Sequence, residues 1–164
     1  MPDPAPGPLR LVQSFANTLS AEPGADLLAA REEAAAWLRA VALLPADAGL
    51  TGSEQAALLR LRQALRDSLT AHTGGREDPE AASRLTKALA EGRLVVTVDA
   101  ASMVQLASAA RASYPSVVAA IAVAIAEAAA AGTWLRLKSC AAPGCGQVFY
   151  DHSAAAHAQG CDTH

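Results

Sequence analysis

The last 26 residues of this 164-residue chain hold all three of its cysteines and three of its four histidines, whereas none of its 13 lysines and arginines lies beyond Lys138. The cysteines follow the spacing Cys140-x4-Cys145-x15-Cys161, and His164 stands three positions after the last of them. Close pairs of thiol or imidazole ligands joined by a loop of about 12–20 residues are what a tetrahedral zinc site requires. Each pair makes a tight turn around the metal, and the loop brings the pairs together. Pro143-Gly144 supplies turn chemistry inside the first pair. Three thiolates with an imidazole as fourth ligand favour zinc over an iron–sulfur cluster. An odd number of cysteines gathered at one end does not resemble a disulfide framework, and a reducing cytoplasm suits it best.

The remainder of the chain is built from small side chains. Hydrophobic residues make up 52% of the sequence, but 42 of them are alanine, about half of the apolar total, and only 4% of residues are aromatic. The length fits one domain, or one domain with a small appendage. Leu and Val occur throughout without a fixed period, which excludes collagen, coiled coil and long disorder. A net charge of -3 gives no global basic field of the kind a nucleic-acid binder carries. The N-terminal MPDPAPGPLR lacks the basic start and apolar run of a secretory leader. Val117 to Ala131 is apolar, but its 15 residues include Glu127 and fall short of the roughly 20 needed to span a bilayer. A buried core helix is the expectation there.

Residues 1–8 contain four prolines and are expected to be disordered or extended. A short helix starting at Leu9 uses Leu11, Phe15 and Leu19, and the AEPGA stretch breaks it. Asp26 to Leu44 reads as a helix with Leu27, Ala30, Ala34, Trp37, Leu38 and Val41 on one face, ended by Pro45. Thr51-Gly-Ser-Glu54 fits a capping box, opening a helix with the stripe Leu58, Leu61, Leu65 and Leu69, stopped by Gly74-Gly75. A further helix spans Pro79 to Glu91 and stops at Gly92. The period then changes: Arg93–Val98 and Met103–Ala107 read as two strands turned at Asp99–Ser102. Ser113 and Pro115 open the last helix, Gly132 follows its end, and Thr133–Lys138 delivers an extended chain to Cys140.

On these residues the chain resembles the CGNR-type zinc finger family with its N-terminal ABATE-like helical domain. The finger is matched by Cys140 and Cys145 with Gly146 directly after, by Phe149, Tyr150, Asp151 and Ser153, and by Cys161. Upstream, Phe15-Ala16-Asn17-Thr18 matches the family's FxNT start, Trp37-Leu38 its helix, and Leu61-Arg62 with Leu65-Arg66 its arginine-bearing helix. In the family an arginine-rich loop precedes the third cysteine, and a Cys-Gly-Asn-Arg motif with further basic residues follows. Here the loop is Ala154-Ala155-Ala156-His157-Ala158-Gln159-Gly160, and the finger reads as truncated ahead of that motif. The place of the fourth cysteine falls to His164, with His152, His157 or an incomplete site as the alternatives.

The expected fold is mainly α with a small β-hairpin (α+β): a helical domain over 9–134, then a zinc-knuckle-like segment over 135–164. The resemblance implies a transcription regulator with structural Zn2+ held by Cys140, Cys145, Cys161 and His164. Its DNA contact is expected to be weak or lost, since phosphate-gripping residues are absent from the finger. The alternative is a non-enzymatic module whose helical domain binds a small molecule or a protein partner. No membrane is involved, and the oligomeric state stays open, a homodimer included. Nothing in the sequence resembles a nucleophile–base pair, a phosphate loop or paired catalytic carboxylates, so no enzyme is expected. Asn17 and Thr18 are expected to cap a helix end or satisfy buried backbone, ahead of touching a ligand. Arg60, Arg62 and Arg66 are expected on a solvated face, and Asp151 and Ser153 in turn hydrogen bonds.

Overall fold

The computed structural model describes residues 3–20, 25–74 and 76–162. Five helices form the bulk: α1 (Leu9–Ala16), α2 (Arg31–Ala40), α3 (Gly52–Thr70), α4 (Pro79–Ala90) and α5 (Tyr114–Ala130). Two separate antiparallel pairs complete the fold, β1 (Leu94–Val98) with β2 (Val104–Ser108), and β3 (Leu137–Ser139) with β4 (Val148–Tyr150). The mainly helical class with a small hairpin is what the sequence announced, and β3–β4 is a second hairpin that it did not.

Helix α3 begins at the capping box read from sequence: the Glu54 amide donates to Thr51 Oγ1 at 3.2 Å, and the Thr51 amide donates to Glu54 Oε2 at 2.7 Å. Its leucines 58, 61, 65 and 69 are all fully buried. Helix α4 is capped by Asp78, whose Oδ1 accepts from the amides of Glu80 and Ala81 at 3.0 Å each. Helix α5 is the apolar run of the sequence. Val117, Val118 and Ile121 are fully buried, and its small residues admit close neighbours. A Cβ at Gly92 would stand 2.8 Å from the Ala119 amide nitrogen, so only glycine lets the end of α4 pass α5 this closely. Among the described residues, no helix is long and apolar enough to cross a membrane.

Helix α2 is shorter than its apolar pattern predicted, Arg31–Ala40 instead of Asp26 to Leu44. Asp26 forms an isolated bridge with Leu19, and its Oδ1 accepts from the Leu28 amide at 2.9 Å, which holds the chain in a turn. Gln55 Nε2 then donates to the carbonyls of Leu28 and Ala29 at 2.9 and 2.8 Å, so those carbonyls are taken before a helix can use them. Leu27, expected on the apolar face, is therefore exposed, while Leu28 is buried. At the other end Ala42 adopts a positive φ of 59°, and the helix stops. Upstream of α1, residues 3–8 are attached despite their prolines. Ala5 is buried, with its amide donating to Gln13 Oε1 at 2.7 Å. The AEPGA break falls mostly, and Gly75 wholly, outside the described residues.

The turn between β1 and β2 has no Asn-Gly pair. Asp99 replaces it, its Oδ1 accepting from the amides of Ala101 and Met103 at 2.8 and 3.0 Å, while Ser102 takes a left-handed φ of 63°. One core runs through the molecule, from Leu9, Val12 and Phe15 of α1 through α3 and α5 to Leu137 and Val148 of the β3–β4 hairpin.

Candidate metal centre

The β3–β4 hairpin is three residues long on each side, paired Leu137↔Tyr150, Lys138↔Phe149 and Ser139↔Val148. Side chains alternate across a strand, so Leu137, Ser139, Val148 and Tyr150 share one face and Lys138 and Phe149 the other. The first face enters the helical core. The second carries a separate small cluster of Phe149 with Cys140, Cys145 and Cys161, all buried. Backbone bonds shape the turns around it: the Cys140 amide donates to the Gln147 carbonyl at 2.8 Å and the Cys145 amide to the Ala142 carbonyl at 3.1 Å.

The ligand atoms of the three cysteines lie within 4.8 Å of one another. The Cys145 and Cys161 sulfurs are 3.7 Å apart, and the three thiols are free of disulfides. A zinc–sulfur bond of about 2.3 Å at the tetrahedral angle places two sulfurs about 3.8 Å apart, so the spacing fits zinc. Burial pushes the Cys145 thiol up, and the neighbouring Cys140 and Cys161 add to this. A divalent cation removes that penalty, since it binds the thiolates and neutralises their mutual repulsion. The residues present therefore fit the metal. Among the described residues no histidine joins the three sulfurs. His152 packs its ring against Tyr150 instead, with centroids 4.8 Å apart, and His164 lies outside the described residues.

Beside the sulfurs sits a buried ion pair. Lys138 Nζ donates to Asp151 Oδ2 at 2.8 Å, and both side chains are almost wholly removed from solvent. The same ammonium donates to the carbonyls of Ala156 and Ala158, so one residue of β3 gathers the loop leading to Cys161. Asp151 also accepts from the Ser153 amide and hydroxyl and from the Ala158 amide, the turn role expected for Asp151 and Ser153. Burial alone would raise the Asp151 carboxyl. The Lys138 ammonium, Ser153 and the Ala158 amide outweigh it and hold the group far below the usual carboxylate range.

The helical part reaches the centre through polar groups on apolar elements. Asn17, just past α1, donates from Nδ2 to the Val148 carbonyl at 2.7 Å and accepts the Val148 amide on Oδ1 at 2.8 Å. It thus satisfies buried backbone, as expected. His72 contacts the Leu137 carbonyl at 2.7 Å through Nδ1, and because a carbonyl only accepts, the nitrogen carries the proton. Arg66 donates from Nη1 to the carbonyls of Ala16 and Leu19, and its Nη2 approaches Gly146 so closely that a Cβ there would meet it at 2.8 Å. Gly146 also holds a positive φ of 56°, so the backbone conformation favours glycine beside Cys145.

The solvated face expected for Arg62 and Arg66 is not what forms. Arg62 is buried and pairs with Asp26 through both guanidinium nitrogens, Nη2 to Oδ2 at 2.8 Å, while Nη1 also donates to Thr18 Oγ1. That contact holds the Asp26 carboxyl below its ordinary value. Arg60 alone of the three is exposed. The spacing held a signal: Arg62 lies four residues after Leu58 and three before Leu65, within the apolar stripe.

Two family models match the chain. Residues 9–133 match ABATE, described as a "putative stress-induced transcription regulator", and residues 136–164 match the CGNR zinc finger. No curated protein matches it.

Replacing Lys138 by Met strands the Asp151 carboxylate in a buried site, with an expected loss of about 3–5 kcal/mol of unfolding free energy in urea titration. The pH dependence follows from the same group. Because its folded pKa lies below the ordinary 3.8, its stabilisation is complete above about pH 5 and is lost as acid approaches the folded value. Unfolding midpoints of the native chain should fall steeply below pH 4, and those of Lys138→Met much less so.

Proposed function

We propose that this chain, which belongs to the ABATE family and carries a CGNR zinc finger, is a zinc-binding transcription regulator whose zinc is structural and whose DNA contact is weak or lost. In this reading a helical domain over 9–134 carries the knuckle over 135–164, with Cys140, Cys145, Cys161 and His164 holding the metal. The buried position of the three cysteines supports a closed, structural centre over a catalytic one. A reducing cytoplasm keeps such thiols available.

The observation that carries the DNA reading is the fate of Arg136 and Lys138, the last two basic residues of the sequence. Lys138 is buried on Asp151, and Arg136 is committed to the carbonyls of Asp151 and Ser153 at 3.0 and 2.8 Å. Lys138 is thereby withdrawn from any phosphate, Arg136 keeps one terminal nitrogen on backbone carbonyls, and residues 139–162 contain no lysine or arginine. Phosphate contacts supply most of the affinity of such proteins. A second reading, a non-enzymatic binding module, draws on one feature of the helical part. A cleft of about 470 Å³ between α3 and α4 is lined by His72, Leu85 and Trp134 together with Asp67, Glu77 and Asp78. That volume lies within the range of small-molecule sites.

Metal analysis tests the centre. The purified chain should carry one zinc and the Cys145→Ser chain none; no metal in either removes the reading. Retardation of duplex DNA at about 50 mM salt tests the grip. No shifted band is expected at about 1 μM protein, and a tight, salt-sensitive complex would contradict the assignment.

A further inference from the structure

Seven of the nine exposed large apolar side chains among the described residues lie on the β1–β2 hairpin: Leu94, Val95, Val96, Val98, Met103, Val104 and Leu106. Val96 and Val104 are 64% and 67% exposed. In the observed register Leu94, Val96 and Val98 stand opposite Ser108, Leu106 and Val104, so one face of the hairpin is almost wholly apolar. Contiguous patches of several hundred Å² on a monomer mark interaction sites.

The backbone shows where further strands can add. The Arg93 carbonyl accepts from Ala109 and the Asp99 amide donates to Met103, so residues 95, 97 and 99 direct their polar groups at β2, while the Arg93 amide turns back to the Ala90 carbonyl. By alternation, the amides and carbonyls of Leu94, Val96 and Val98 point away from β2, along an edge where every residue is exposed. That edge carries no lysine, proline or bulge of the kind that protects edge strands from pairing.

We infer that this edge takes a second copy of the same chain, with β1 pairing antiparallel to β1 of the other copy about a two-fold axis at Val96. The sequence is self-complementary in that register. Val96 faces Val96, Leu94 faces Val98 of the second copy, and the outward-pointing groups of all three residues meet as hydrogen-bonded pairs. One step further out, Arg93 of one copy falls opposite Asp99 of the other, at both ends of the ladder. Arg93 is exposed and takes part in no ion pair among the described residues. Asp99 uses Oδ1 for its turn, and the described contacts leave Oδ2 for the guanidinium. A shift of register by one residue loses both the charge pairing and the backbone match. The product is a four-stranded sheet, β2-β1-β1-β2, with a closed two-fold interface.

Sedimentation velocity of the full zinc-loaded chain tests this, with far-UV circular dichroism as a check on folding. The native chain should run at twice 16.7 kDa at about 50 μM protein. Val96→Lys sets two ammonium groups side by side on the axis and should run as a monomer with an unchanged spectrum. Arg93→Glu, away from the apolar strand, should weaken the dimer at least about tenfold by opposing Asp99. A native chain that stays monomeric, or a dimer that survives both substitutions, overturns the proposal.

Discussion

Strand β4 is only three residues long, yet two packing environments meet on it. Val148 enters the helical core, the next residue, Phe149, packs on the cysteines, and the Val148 backbone is held at both its amide and its carbonyl by Asn17. The alternation of a β-strand makes this possible in so few residues. The cysteines are consequently not on a flexible tail. Their positions are tied to α1 by Asn17, while His72, just beyond α3, holds the Leu137 carbonyl. Short loops that carry metal ligands usually depend on the metal for their order. Here the protein contributes part of that order through the hairpin.

The same economy explains the charge pattern. Basic residues close to the centre are spent on structure: Lys138 on Asp151 and the loop carbonyls, Arg136 on the carbonyls flanking them. A cation such as Lys138, desolvated and hydrogen-bonded inside the protein, exerts little pull on a polyanion outside. The uneven distribution of lysine and arginine along the sequence thus has a physical counterpart in the fold.

Much of this was legible in the chain itself, and the rest depended on distance. The capping box at Thr51, the apolar helix after Ser113 and the thiol spacing are local signals, and each forms where the local chemistry indicated. The family resemblance drawn from Cys140, Cys145, Asp151 and the FxNT segment corresponds to matches across 9–133 and 136–164. What escaped were groups whose partners lie far away in sequence. Asp26 left its expected helix because Arg62, 36 residues on, claims its carboxylate. Asn17 meets Val148 across 131 residues, which no periodicity reveals. Strand β4 was missed because three residues are too few to display a period.

The central claim is that the thiol centre and the helices form one cooperative unit joined through the hairpin. Differential scanning calorimetry of the zinc-loaded chain, with and without a strong chelator, tests it most directly. The account predicts a single transition that moves to lower temperature as a whole when the metal is removed. A helical transition that stays in place while a separate, smaller one disappears would contradict it.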